Sequence, residues 1–159
     1  MKQVPAVYER ERMVRNGGDA FKPYVPRAIR TEKILGDYRY EKVVEDFWFY
    51  SGILRMWCCI PAGFIYDNES VPFLKGTNPE AGGIHDYLSR KNSVPVVAKQ
   101  VAADVYREFQ EYFDEMESGN EFNRCWDWIR RTVKIGFVRT WPGYWHTFTV
   151  EATYKEITG

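Results

Sequence analysis

Val97, Val101, Val105, Phe109 and Phe113 recur every four residues. That spacing predicts a helix from about Val97 to Met116, with Tyr112 and Met116 joining its apolar stripe. A helix with one apolar face has to bury it against another layer, so the rest of the chain must supply that layer. Asp104 falls about 20° from Val97 on the helical wheel. It therefore sits on the flank of the buried face rather than on the wet side.

The layer is predicted between Lys42 and Tyr66. Val43-Val44 and Phe47-Trp48-Phe49-Tyr50 lead into Ser51-Gly52, and Ile53-Leu54-Arg55-Met56-Trp57-Cys58-Cys59-Ile60 follows. β-Branched and aromatic runs on either side of a Ser-Gly pair predict a hairpin. The second run is almost wholly apolar, which predicts burial on both faces. Pro61-Ala62-Gly63 ends it, and Phe64-Ile65-Tyr66 delivers Asp67 into a loop.

Two more helices are predicted around the central one. Asn78 ahead of Pro79 marks the start of the first, which carries Ile84 through Leu88. Gly82 and Gly83 inside it each cost about 1 kcal/mol relative to alanine, which suits a site of close approach. Another helix, about Glu121 to Ile135, places Phe122, Cys125, Trp126, Ile129 and Val133 on one side. Residues 1–36 are charged and broken by Gly17-Gly18, Pro23 and Pro26, which predicts an arm. Within it, Val7 to Val14 suits a short helix with Glu9-Arg10-Glu11-Arg12 on its wet side. Phe148, Val150, Ala152 and Tyr154 alternate with polar residues, giving residues 141–159 strand character. The expectation is one α+β domain over 1–159: an extended N-terminal arm, then a core over 37–140 in which a small, mostly antiparallel sheet packs with three helices.

Twenty-two basic and 22 acidic side chains balance, so no global field favours nucleic acid. No apolar stretch approaches transmembrane length, and the first residues lack the apolar core of a signal peptide. The expectation is a protein that folds in a cytoplasm. Cys58, Cys59 and Cys125 are odd in number and lack C-x-x-C spacing, which predicts reduced, packed thiols.

Chemistry concentrates between Gly63 and Asp104. His85, one of only two histidines, is flanked by Asp86, with Asp104 one helix away. A histidine with carboxylates around it has the parts of a general base held by an acid. Asp67, Asp86 and Asp104 stand in contexts that look chosen rather than scattered, and two of these three could also hold a hard cation through oxygen.

The ordered set Gly63-Phe64-x-x-Asp67-x-x-Ser70-Val71-Pro72, His85-Asp86-Tyr87-Leu88 and Ala103-Asp104 resembles an uncharacterised domain family of tailed bacteriophages and prophages. The resemblance covers roughly residues 60–136, and departs from the family's pattern at Tyr66 and Glu69. It implies phage origin, with the host cytoplasm or the virion as location and other phage proteins or a host-envelope component as partners. A fainter likeness joins His85-Asp86-x-x-Ser89-Arg90 and Ala103-Asp104-x-x-x-x-Phe109 to the catalytic helices of bacterial phospholipase A2. That likeness implies His85 as the base, Asp86 as a ligand for calcium or another divalent cation, and Asp104 as the carboxylate that orients the ring. Asp67, from the preceding loop, is the expected second ligand. Neighbours on a helix diverge by about 100°, so His85 and Asp86 would flank a water and a metal rather than share one role.

Plainer readings stand beside these. His85 suits a buried polar network equally well, and Asp67 and Ser70 suit turn formation. Glu108 reads as an ion-pair partner at the edge of the core. A zinc site through His146, or a Cys-His pair, has no supporting spacing. Three roles follow: a metal-assisted hydrolase acting on the host envelope, a non-catalytic tail or virion protein, and an inhibitor of host defence.

Overall fold

The computed structural model describes residues 2–34, 37–67, 78–117 and 132–133. The predicted helix over 121–135, apart from helical Thr132 and Val133, lies outside the described residues, as do the predicted C-terminal strand, Ser70, Cys125 and His146. The class is α+β, with three full helices and antiparallel strands among the described residues. In chain order these are α1 (Ala6–Arg15), β1 (Thr31–Ile34), β2 (Asp37–Val43), β3 (Phe47–Ser51), β4 (Met56–Ile60), β5 (Ile65–Asp67), α2 (Pro79–Leu88) and α3 (Lys99–Glu117).

The strands form two antiparallel units, a β1-β2-β5 sheet and a β3-β4 hairpin. β1 lies inside the predicted arm, so that region is not wholly irregular. Thr31 faces Val43 and Glu32 faces Lys42, which places an ion pair across the strands at 2.8 Å. β5 then runs beside β2 with Asp67 opposite Tyr40. The turn between β4 and β5 depends on Gly63, whose φ of 88° lies in the left-handed region that glycine alone enters freely. Its amide donates to the Val43 carbonyl at 2.7 Å.

The hairpin forms as expected, but its turn runs from Gly52 to Arg55 rather than through Ser51-Gly52 alone. Ile53 is exposed, and only Cys58 and Ile60 of β4 are buried. Burial on two faces is thus only partial: the face with Cys58 and Ile60 meets the main core, while the face with Trp57 and Cys59 lies under the N-terminal arm and stays half-buried. Phe49 meets Phe109 of α3 edge-on at 5.4 Å, while Trp57 packs edge-on against Tyr24 and Tyr50.

α3 buries Ala102, Val105, Tyr106 and Phe109, with Val101 and Phe113, and Val97 just ahead of the helix, packed at the rim. Asn78 does start α2, yet its side chain makes no cap. It donates instead to Gln110 of α3 at 3.1 Å, within the core. Gly83 allows a close approach by side chains: a Cβ there would sit 3.3 Å from Ile29 and 3.6 Å from the Tyr66 ring. At Gly82 the space is open, and nothing around it explains the residue.

α1 reverses the expected polarity. Arg12, assigned from sequence to the wet side, is 5% exposed. Its guanidinium pairs with both oxygens of Glu9, donates to the Ala20 carbonyl, and lies 3.9 Å from the centre of the Tyr50 ring. Glu9 also accepts from the Trp57 indole at 2.6 Å. A buried cation is tolerated only when paired and bonded in this way. Arg12→Ala is expected to lower the unfolding free energy by about 2 kcal/mol. It should also raise amide exchange across α1, measured by urea denaturation and hydrogen exchange.

Candidate functional site

Two packed helices and the end of one strand position the predicted site. α2 carries His85, Asp86 and Ser89; α3 carries Asp104 and Tyr106; β5 ends on Asp67. The His85 ring lies edge-on to Tyr106 at 5.4 Å, so α3 fixes one side of the imidazole. Its side chain is 20% exposed and that of Asp86 16%. That leaves the pair at the margin of the core, where a charge is neither fully solvated nor sealed.

Asp86 and His85 do not diverge as a bare helical wheel implies. Asp86 Oδ1 lies 3.3 Å from His85 Nδ1. The other oxygen, Oδ2, accepts from the backbone amide of Asp67 at 3.2 Å. This second bond holds the carboxylate toward the sheet and leaves its first oxygen facing the ring. On the far side, Ser89 Oγ lies 3.4 Å from His85 Nε2, one helical turn along. An ionised Asp86 favours the tautomer with its proton on Nδ1, and Nε2 then accepts from the Ser89 hydroxyl. Both separations exceed the usual hydrogen-bond length of about 2.8–3.0 Å, so the ring is steered rather than locked.

Two phenols wall the cluster. Burial pushes the Tyr66 hydroxyl well above its ordinary value, with Glu41, Glu80 and Asp86 adding to the effect. Burial does the same to Tyr106, again reinforced by Asp86. Both rings therefore stay neutral at any ordinary pH, so the ionisable groups of the cluster are His85 and the carboxylates.

The structure brings His85, Asp86 and the Asp67 backbone together. Asp104 sits half-buried on α3, two residues before Tyr106, while the hydrogen bonds of the His85 ring go to its own helix. No group of three or more His, Cys, Asp or Glu side chains among the described residues is arranged to hold a metal ion. As placed, both Asp86 oxygens are turned to partners within the fold, the His85 ring and the Asp67 amide.

Ser89 and Tyr106 are the members not singled out as functional from sequence. Ser89 had a signal, its four-residue spacing from His85. Tyr106 had none, because only helix packing brings it to the ring. The thiols stay outside the site: burial pushes Cys58 up to about 12 and Cys59 up to about 11, so neither is a thiolate near neutral pH. Glu108 is corrected too. It serves the β3–β4 turn rather than a cation, accepting from Ser51 Oγ, Gly52 N and Ile53 N. No family model, curated protein or solved structure matches the chain.

Proposed function

We propose that this chain is an accessory protein of a tailed bacteriophage, acting in the host cytoplasm or carried in the virion. In this reading His85 is the general base of a phospholipase-like hydrolytic site directed at host-envelope esters. The observation that carries the chemistry is the Asp86 contact with Nδ1, on a ring that keeps one-fifth of its surface open. A carboxylate there keeps the ring proton on Nδ1 and leaves the Nε2 lone pair to take the proton that water gives up. Ser89 holds Nε2 in line until water takes its place. A divalent cation, if recruited, would polarise the ester carbonyl, and no step assigned to His85 passes through it. The phage assignment rests on the ordered motifs around Asp67, His85 and Asp104.

The test is release of fatty acid from phospholipid vesicles by purified protein, with calcium and with chelator. His85→Ala is expected to lower turnover at least about a hundredfold, and Asp86→Asn to lower it less, with circular dichroism unchanged. No turnover by the wild type on phospholipid or cell-wall substrates in either condition refutes the hydrolytic reading.

One observation favours a second reading, a non-catalytic tail or virion protein. Ser89 is 4% exposed, and Asp86 Oδ2 ties α2 to β5, so the cluster also works as a polar clamp. Under that reading His85→Ala costs about 1 kcal/mol of stability, there is no turnover to lose, and the protein co-sediments with purified particles.

A further inference from the structure

α1 is inside out. Its polar residues Glu9 and Arg12 face the body of the protein, where they meet Trp57 and Tyr50. Ala6, Val7, Arg10, Met13 and Val14 share the opposite sector of about 120°, and all five are exposed. Val7 is 48% exposed and Val14 76%. Single exposed valines need no explanation, but three large apolar residues on one helical face form a patch. The helix is already folded and pinned by the Arg12–Glu9–Trp57 contacts, so docking this face would order nothing new.

Charge indicates what the face meets. Residues 2–30 hold seven basic and three acidic side chains, within a chain whose net charge is zero. Lys2 and Arg30 are paired with Asp46 and Glu45, and Arg12 and Arg27 with Glu9 and Glu11, so the cationic excess of this segment is carried by Arg10, Arg15 and Lys22. Arg10 lies in the apolar sector itself, and Arg15 and Lys22 are also exposed. An arginine among valines on an open surface buries its stem along apolar material while its head seeks anions. A second copy of the chain would place this cationic face against another, which charge disfavours. No helix among the described residues is long and apolar enough to cross a membrane, so a lipid contact here would lie along the surface.

We infer that the Ala6/Val7/Arg10/Met13/Val14 face of α1 is a docking surface for an anionic lipid bilayer. The apolar side chains enter the acyl boundary, and Arg10 among them meets the phosphate headgroups. This deepens the hydrolytic reading by assigning the surface through which the protein would reach an envelope substrate. Its test reads binding alone, so its failure and a failure of turnover at His85 are told apart.

The experiment is flotation of the full chain with vesicles of phosphatidylglycerol and phosphatidylethanolamine, and separately with vesicles of phosphatidylcholine. Wild type is expected to float with the anionic vesicles, less so as salt rises, and to stay behind with the neutral ones. Arg10→Glu should lower partitioning at least about tenfold. Val14→Asp should lower it too, although Val14 is too exposed for the change to unfold the protein. His85→Ala should float like wild type. Wild type absent from the anionic vesicles, equal flotation with both lipids, or variants that float unchanged would overturn the assignment. A Val14→Asp variant that changed oligomeric state without any vesicle binding would likewise overturn it and give the face to protein contact.

Discussion

Gly52→Ala is expected to unseat the N-terminal arm and lower the unfolding free energy by about 3 kcal/mol. A Cβ at this position would stand 1.7 Å from the Phe21 carbonyl oxygen, 2.8 Å from its carbonyl carbon and 2.9 Å from Glu108 Oε1. Two of those atoms are backbone and cannot swing aside as the end of a long side chain does. The segment that leads to Tyr24 would have to move, and Tyr24 pairs with Tyr50 through two backbone bonds of 3.0 and 2.8 Å. Loss of that bridge would loosen the floor on which Arg12 and α1 rest. Chemical denaturation reads the stability loss, and limited proteolysis within residues 16–30 reads the release of the arm. An alanine variant with the wild-type midpoint would show that the arm does not press on the turn.

Glu108 is expected to give the other large effect. Its carboxylate takes a hydroxyl at 2.6 Å and two amides at 2.9 and 3.1 Å, and so closes the β3–β4 turn from α3. Glu108→Ala leaves three donors without their acceptor, for a cost of about 3 kcal/mol. Glu108→Gln keeps a carbonyl for the amides and is expected to cost far less. Burial raises the Glu108 carboxyl above its ordinary value, partly countered by the Ser51, Ile53 and Gly52 bonds. The folded state therefore holds this proton more tightly than the unfolded chain does. The stability linked to it is full below the ordinary carboxyl value and is lost as pH rises through the raised one. Glu108→Gln should remove that part of the pH dependence, measured as unfolding free energy from acid to neutral pH. A Gln variant as damaged as the Ala variant, or one with the wild-type pH profile, would contradict this account.

What could be read along the chain was whatever depends on residues close together in it. The four-residue recurrence from Val97 to Phe113 marked α3, the aromatic runs around Ser51-Gly52 marked the hairpin, and Asn78-Pro79 marked the start of α2. At the candidate site, the adjacency of His85 and Asp86 was legible, and so was the turn-length spacing to Ser89. Features made by distant partners were not. Arg12 looked like a solvated charge because Tyr50 and Trp57, which make its burial tolerable, lie some forty residues away. Glu108 looked like an ion-pair partner because the turn amides it holds lie more than fifty residues back. The same limit applies at His85, whose ring neighbour Tyr106 and whose carboxylate's anchor at Asp67 arrive only when α2, α3 and β5 pack. Periodicity and turn chemistry act within a few residues and are written into the order of the side chains. Whether a polar group can be buried depends on which donors and acceptors the completed fold brings to it, and that only the tertiary structure decides.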